Sequence, residues 1–240
     1  MHFARSVKAL ALAGAVLFAP SSVSAMTLTY QTPGNIFGSN GSASVHIQSP
    51  RNIWAQAGGF ALKGNIGGDS ALESFTAWCL DISTSINLNY NYNVTTSPFT
   101  GSVLNATRLN NIRALFNTGL TGLNLALGQN SAGFQLALWE LVYEKTVNPL
   151  NAGAGKFRAS NSASAIATAN LLLAGLGGPI TGNFNLTYLE SYKHKSQNLV
   201  TGNPIPVEVP SVPVPAAGLL LFSALLGTGL LARMRRRTAN

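Results

Sequence analysis

The chain has 240 residues, of which only 9% are charged, yet its formal net charge is +8. That balance would ordinarily suggest an acidic partner such as nucleic acid. Its distribution removes this reading: Arg5, Lys8 and four terminal arginines carry the excess, and residues 26–211 hold nine Lys and Arg against seven Asp and Glu, a balance of +2. No nucleic-acid partner is therefore expected, and about 186 residues remain between the ends, enough for one domain with a sizeable core.

Taken in chain order, the N-terminus reads as a signal peptide over residues 1–25. Arg5 and Lys8 precede an apolar run from Ala9 to Ala19, Pro20-Ser21-Ser22 breaks it, and Val23-Ser24-Ala25 offers the small residues a signal peptidase reads, so cleavage before Met26 is expected. The following residues read as an exported domain over 26–201. Strand-like stretches come first: Met26 to Gln31, Ala43 to Ser49, Ile53 to Lys63, Ser74 to Ser83 and Ile86 to Thr96, separated by Gly, Asn, Pro and Asp clusters. His46 lies in the second and has no metal-ligand neighbour at useful spacing; neither has His194, and both read as surface residues, with no metal or cofactor expected.

The middle of the chain turns helical. Asn105 to Asn117 places Leu109, Ile112, Leu115 and Phe116 on one face and ends near Gly119. Ser131 to Lys145 has Ser131 as its expected N-cap and is apolar except for Gln135, Glu140, Glu144 and Lys145, so it reads as largely buried. Ser160 to Leu176 is rich in Ala and Leu and stops at Gly177-Gly178-Pro179, and Phe184 to Val200 returns to strand-like composition. This order predicts an α+β fold, a β-rich sandwich or barrel-like domain with a middle of about three helices.

From Thr201 the chain is rich in Pro and Val and reads as an extended spacer, 202–211, ahead of a terminal segment, 212–237. Val212-Pro213-Val214-Pro215-Ala216 opens that segment, an uncharged run continues to Ala232, and Arg233, Arg235, Arg236 and Arg237 follow. A helix from Ala216 to Ala232 would cover about 25 Å against a hydrocarbon core of about 30 Å, a short span with its arginines held on the cytoplasmic side. Pro213 and Pro215 suit the start of such a helix and not its interior. In these residues the tail resembles the PEP-CTERM sorting signals, in particular the variant built on Val-Pro-Leu-Pro-Ala, with Val214 standing where that pattern has Leu. The resemblance implies a bacterial protein exported by Sec-type machinery, held in the inner membrane as an intermediate, cut by an exosortase at or near the motif, and delivered to the cell envelope or extracellular matrix.

Within the domain the lone cysteine, Cys79, sits in Phe75-Thr76-Ala77-Trp78-Cys79-Leu80-Asp81. A single cysteine in an exported protein is an intermolecular partner, a reactive thiol or an inert buried residue. Gln135 is the only polar side chain between Ala132 and Trp139, shares a helix face with Trp139, and needs partners for its amide if buried. Together Cys79-Leu80-Asp81 and Gln135-Leu136-Ala137-Leu138-Trp139 resemble the Cys-x-Asp and Gln-x-Ala-x-Trp motifs of bacterial thioester domains, over roughly residues 74–145.

That resemblance implies that Cys79 and Gln135 condense into an internal thioester, with Trp78, Trp139 and Tyr143 shielding it and Asp81 ordering the neighbourhood. It implies a single-use covalent adhesin rather than a turnover enzyme, with an amine or hydroxyl target. Phe134 departs from the pattern, which has Thr there. Core packing for the aromatics and turn capping for Asp81 are the plainer readings. A passive structural matrix protein with the same address and no reactive bond, or a permanently membrane-anchored binding module, are the alternatives.

Overall fold

The structure is a computed structural model that describes residues 24–66, 71–96, 104–144, 149–191, 193 and 195–204. Most of the expected signal peptide, residues 1–23, and the whole tail from 205, with its sorting motif, apolar run and arginines, lie outside the described residues, as does His194. Among the described residues no helix is long and apolar enough to cross a membrane.

The fold is α+β. In chain order it runs β1 (Ser24–Met26), β2 (Thr29–Tyr30), β3 (Ala43–Ser49), β4 (Ile53–Ala57), β5 (Phe60–Gly64), β6 (Glu73–Cys79), β7 (Tyr92–Thr95), α1 (Ala106–Gly119), α2 (Gly128–Tyr143), β8 (Arg158–Ser160), α3 (Ala163–Ala174), β9 (Phe184–Ser191) and β10 (Leu199–Pro204). Seven strands form one antiparallel sheet in the order β1-β7-β9-β10-β6-β5-β2, curled as a half-barrel, and β4-β3-β8 form a second, three-stranded sheet. The barrel does not close, because β1 and β2 are its edges.

Several expected elements divide where the backbone has to turn. The stretch Ile53 to Lys63 is two strands in two different sheets, parted at Gly58 and Gly59. A side chain at Gly59 would bring its Cβ to 2.6 Å from Thr76 Cγ2 and 2.9 Å from the Trp78 ring, so only glycine lets the chain pass this close to β6. The first expected strand divides into β1 and β2, and Ile86 to Thr96 is extended only over β7. Phe184 to Val200 holds β9 and the start of β10, which pair with each other. Ser160, expected as the first residue of the third helix, instead ends β8, which pairs with β3.

The helices follow the apolar periodicity. Asn105 caps α1, its side-chain oxygen accepting from Arg108 N at 3.0 Å, and Ile112, Leu115 and Phe116 are buried. Helix α2 is buried without interruption from Ser131 to Val142. It packs on α3, α1, β3, β4 and β6. Phe134 lies against Trp78 at 4.4 Å and edge-on to Phe116 at 5.2 Å, which ties α2 to β6 and α1. A continuously apolar helix is the expected consequence of this central position, since neighbouring elements cover it from Ser131 to Val142.

One expectation about α2 is corrected. The helix starts at Gly128, with Leu127 at the N-cap position and no side-chain cap, and Ser131 lies inside it. The Ser131 hydroxyl accepts instead from Gly59 N at 2.9 Å, a tertiary bond that fixes the β4–β5 turn against the helix. Gln135 is thereby two turns into α2, beyond the free N–H groups of its first turn.

Candidate functional site

The site exists because a strand ladder stops short. The β5–β6 pairing runs from Gly64↔Glu73 to Phe60↔Ala77 and ends there, as the chain turns away at Gly58 and Gly59. Cys79 lies two residues beyond Ala77, so its backbone groups point the same way, past the end of β5. A buried N–H and C=O left open would be costly. Gln135 takes the missing strand's place: its Oε1 accepts from Cys79 N at 2.9 Å and its Nε2 donates to Cys79 O at 2.8 Å. Both residues are buried, at 2% and 1% exposure.

The thiol next to this pairing is kept neutral. Cys79 Sγ donates to Asp81 O at 2.7 Å. Burial, and secondarily the negative charge of Asp81, push its pKa well above the usual thiol value, while the Trp139 indole and the Asp81 backbone pull the other way. Asp81 also shapes the turn after β6: Oδ1 accepts from Thr84 N at 3.1 Å and Oδ2 from Asn198 N at 2.8 Å, so turn capping and ordering of the cysteine's neighbourhood are one arrangement. Tyr143, on the last turn of α2, accepts from Ile82 N at 2.9 Å and pins the same turn to the helix.

Cys79, Gln135 and Trp139 line a cleft of about 330 Å³. Its walls include β4 and the segment that follows β6, and none of its lining residues is charged. Trp54, 61% exposed, stands at this cleft with its ring stacked on His46 at 5.0 Å. His46 bonds Asn52 and belongs to the outer face of the three-stranded sheet. Trp78 is placed differently: fully buried against Phe134, it does not line the cleft. Phe134, where the motif has Thr, is the ring it packs on.

Two residues of the site carry no signal of their roles in the sequence. Gln197 reaches the cleft from a position 116 residues beyond Asp81, donating from Nε2 to Asp81 O at 3.3 Å. Ser131, which the sequence marks only as a helix cap, holds the glycine turn from which β5 starts. Among the described residues no group of three or more His, Cys, Asp or Glu could hold a metal ion.

No protein-family model matches the sequence, and no curated protein matches it. Among solved structures, the chain is similar to the N-terminal thioester domain of a surface protein from Clostridium perfringens, at 14% identity and a TM-score of 0.43, over 68% of this chain and 98% of that one. It is also similar to the N-terminal thioester domain of the fibronectin-binding protein SfbI from Streptococcus pyogenes, at 16% identity and a TM-score of 0.35 over 74% and 98% of the two chains. The N-terminal domain of the S. pyogenes pilus tip adhesin Cpa matches at 13% identity and a TM-score of 0.35, over 73% and 98%.

Proposed function

We propose that this chain is an exported surface or matrix protein whose domain forms an internal thioester between Cys79 and Gln135 and uses it once, to bond covalently to a target amine or hydroxyl. The observation that carries the reading is the two-way pairing of the Gln135 carboxamide with the backbone of Cys79. It fixes the acyl carbon beside the only cysteine of the chain, and it aims the Cys79 N–H at the oxygen on which charge develops when that carbon is attacked.

In the forming step the Cys79 sulfur attacks Gln135 Cδ, the Cδ–Nε2 bond breaks, and the thiol proton leaves with that nitrogen as ammonia. The Cys79 N–H stabilises the tetrahedral oxyanion in place of the helix N-terminus, from which Gln135 is too far. In the bonding step an amine or hydroxyl attacks the same carbon, the C–S bond breaks, and the nucleophile's proton ends on sulfur. Each molecule acts once, so the protein is an adhesin and not a turnover enzyme. Delivery belongs to the same proposal: Val212 to Ala216 would be cut by an exosortase after the segment ending in Arg233, Arg235, Arg236 and Arg237 has held the chain in the membrane.

A passive surface protein is the second reading, favoured by one observation: the Gln135 amide and the Cys79 thiol already have hydrogen-bond partners, as in an unreactive core. Intact mass separates the two. Under the thioester reading the protein weighs about 17 Da less than its sequence requires, the Cys79→Ala variant does not, and methylamine adds its mass to the parent alone. A parent of full mass with a titratable thiol would leave the passive reading.

A further inference from the structure

Four buried side-chain atoms among the described residues have no hydrogen-bond partner: Asn65 Oδ1, Trp139 Nε1, Glu140 Oε2 and Gln197 Oε1. Two of these four residues, Trp139 and Gln197, line the cleft that holds Cys79 and Gln135. One supplies an unused donor and the other an unused acceptor. Buried polar atoms are seldom left open, and each one costs free energy that a partner would recover.

The surroundings set the Trp139 indole beside the reacting sulfur and tie the Gln197 carboxamide to it through a shared oxygen. Trp139 is one turn beyond Gln135 on α2 and only 3% exposed, so its indole is held by the helix and the core. Its N–H meets hydrogen-bond geometry with no atom, yet it faces Cys79 closely enough to lower the thiol's pKa. Gln197 is tied to the same sulfur through one shared oxygen: Asp81 O accepts from Cys79 Sγ at 2.7 Å and from Gln197 Nε2 at 3.3 Å. With its nitrogen so fixed, the carboxamide leaves Oε1 as its free end.

We propose that Trp139 and Gln197 are catalytic residues of the acyl transfer, the indole N–H stabilising charge on the Cys79 sulfur and the Gln197 oxygen receiving a hydrogen bond from the incoming nucleophile. The proposal rests on the thioester reading. As an amine attacks Gln135 Cδ, one of its N–H groups donates to Gln197 Oε1, which turns the nitrogen lone pair toward the carbon. The oxyanion is held by the Cys79 N–H. The C–S bond then breaks, sulfur leaves with its charge directed at the indole N–H, and the proton shed by the attacking nitrogen completes the thiol. The same indole contact assists the forming step, in which sulfur is the nucleophile. The cleft has no charged lining residue, so these two neutral dipoles supply the polarity that ionised side chains supply elsewhere.

The test uses the whole exported protein with Trp139→Phe, Gln197→Leu and Gln197→Glu, the first keeping ring bulk and the last keeping an acceptor oxygen. Intact mass first establishes that each variant carries the thioester. The second-order rate of methylamine addition should then fall about tenfold or more in Trp139→Phe and in Gln197→Leu, and return toward the parent in Gln197→Glu. A second measurement excludes a merely structural effect. In a Gln135→Ala background, which holds a free thiol, alkylation against pH should show a higher thiol pKa when Trp139 is Phe and an unchanged one when Gln197 is Leu. The groups Asp81, Tyr92 and Tyr143, which also act electrostatically with this thiol, are common to all of these proteins. Parent-like addition rates in thioester-bearing variants would overturn the proposal. Absence of the mass loss in the parent would instead overturn the thioester reading beneath it.

Discussion

At the scale of single residues, Cys79 and Gln135 are not equivalent partners. In the unreacted protein Gln135 bonds the backbone of Cys79 and not its side chain, so against a parent whose thioester has not closed Cys79→Ala keeps both bonds and loses only a small buried group. Thermal melts should show a cost of about 1 kcal/mol. Gln135→Leu leaves a buried N–H and C=O open at the end of β6 and should cost about 2–4 kcal/mol. Equal costs would mean that the carboxamide does not replace the missing strand.

Glu140, the neighbour of Trp139, titrates in a range that stability can report. It is fully buried, its Oε1 accepts from Asn151 N at 2.8 Å, and its Oε2 has no partner. Burial, with the charge of Glu144 as a smaller cause, raises its pKa from 4.5 to about 7. Because the folded value lies above the unfolded one, its contribution is full below the unfolded pKa and is lost as pH rises through about 7. Denaturant melts should therefore show stability falling by on the order of 3 kcal/mol between those limits. Glu140→Gln, which keeps the oxygen for Asn151, should flatten that slope and be the more stable protein at pH about 8. An unchanged slope would show that another group titrates.

At the scale of elements, the positions that organise the site are close approaches. Helix α2 meets α3 at Gly133, where a Cβ would come within 2.6 Å of Thr168 and 3.1 Å of Ala165 O. Alanine would favour the helix by about 1 kcal/mol in isolation. Here Gly133→Ala should destabilise by about 1–3 kcal/mol, because the two backbones must separate. Gly59→Ala should be as costly and should also slow acyl transfer, since the turn before β5 stops its ladder with β6 and leaves Cys79 for Gln135 to meet. Circular dichroism melts set beside methylamine rates would separate these effects.

The sequence located most elements correctly and misjudged their ends for a common reason. Apolar periodicity marks α1, α2 and α3, because a buried face repeats with the helical turn. It does not mark where α2 begins: Ser131 has the composition of a cap, but its hydroxyl is used by Gly59 from another part of the chain. Nor does it show that Ile53 to Lys63 serves two sheets. That depends on Thr76 and Trp78 crowding Gly59, which no local pattern contains.

At the scale of the whole molecule, the basic charge belongs to the ends and the domain between them is nearly neutral. Under the sorting proposal, changing Pro213 and Pro215 together to Ala should leave full-length chain in the inner-membrane fraction of an exosortase-bearing host, from which the parent should be released to the surface. Fractionation and immunoblotting would read this, and equal release of both would overturn the sorting proposal. The N-terminal boundary can be checked by the same material. Cleavage before Met26 removes Ser24 and Ala25 from β1, leaving Met26↔Tyr92 of its three pairs with β7. Edman sequencing or terminal-peptide mass would show where the strand begins in the exported protein.

The sequence by itself determined the class of fold and the central buried helix, because periodicity and composition are local properties of a chain, and the resemblance of two short motifs singled out Cys79 and Gln135 as a pair. Tertiary structure alone decided how that pair meets. It stopped the β5–β6 ladder two residues before Cys79, put the Gln135 carboxamide into the gap, turned Trp78 into the core, and brought Gln197 to the Asp81 oxygen that the thiol also bonds. These placements come from backbone groups that must find partners once buried, and the partners lie far away along the chain.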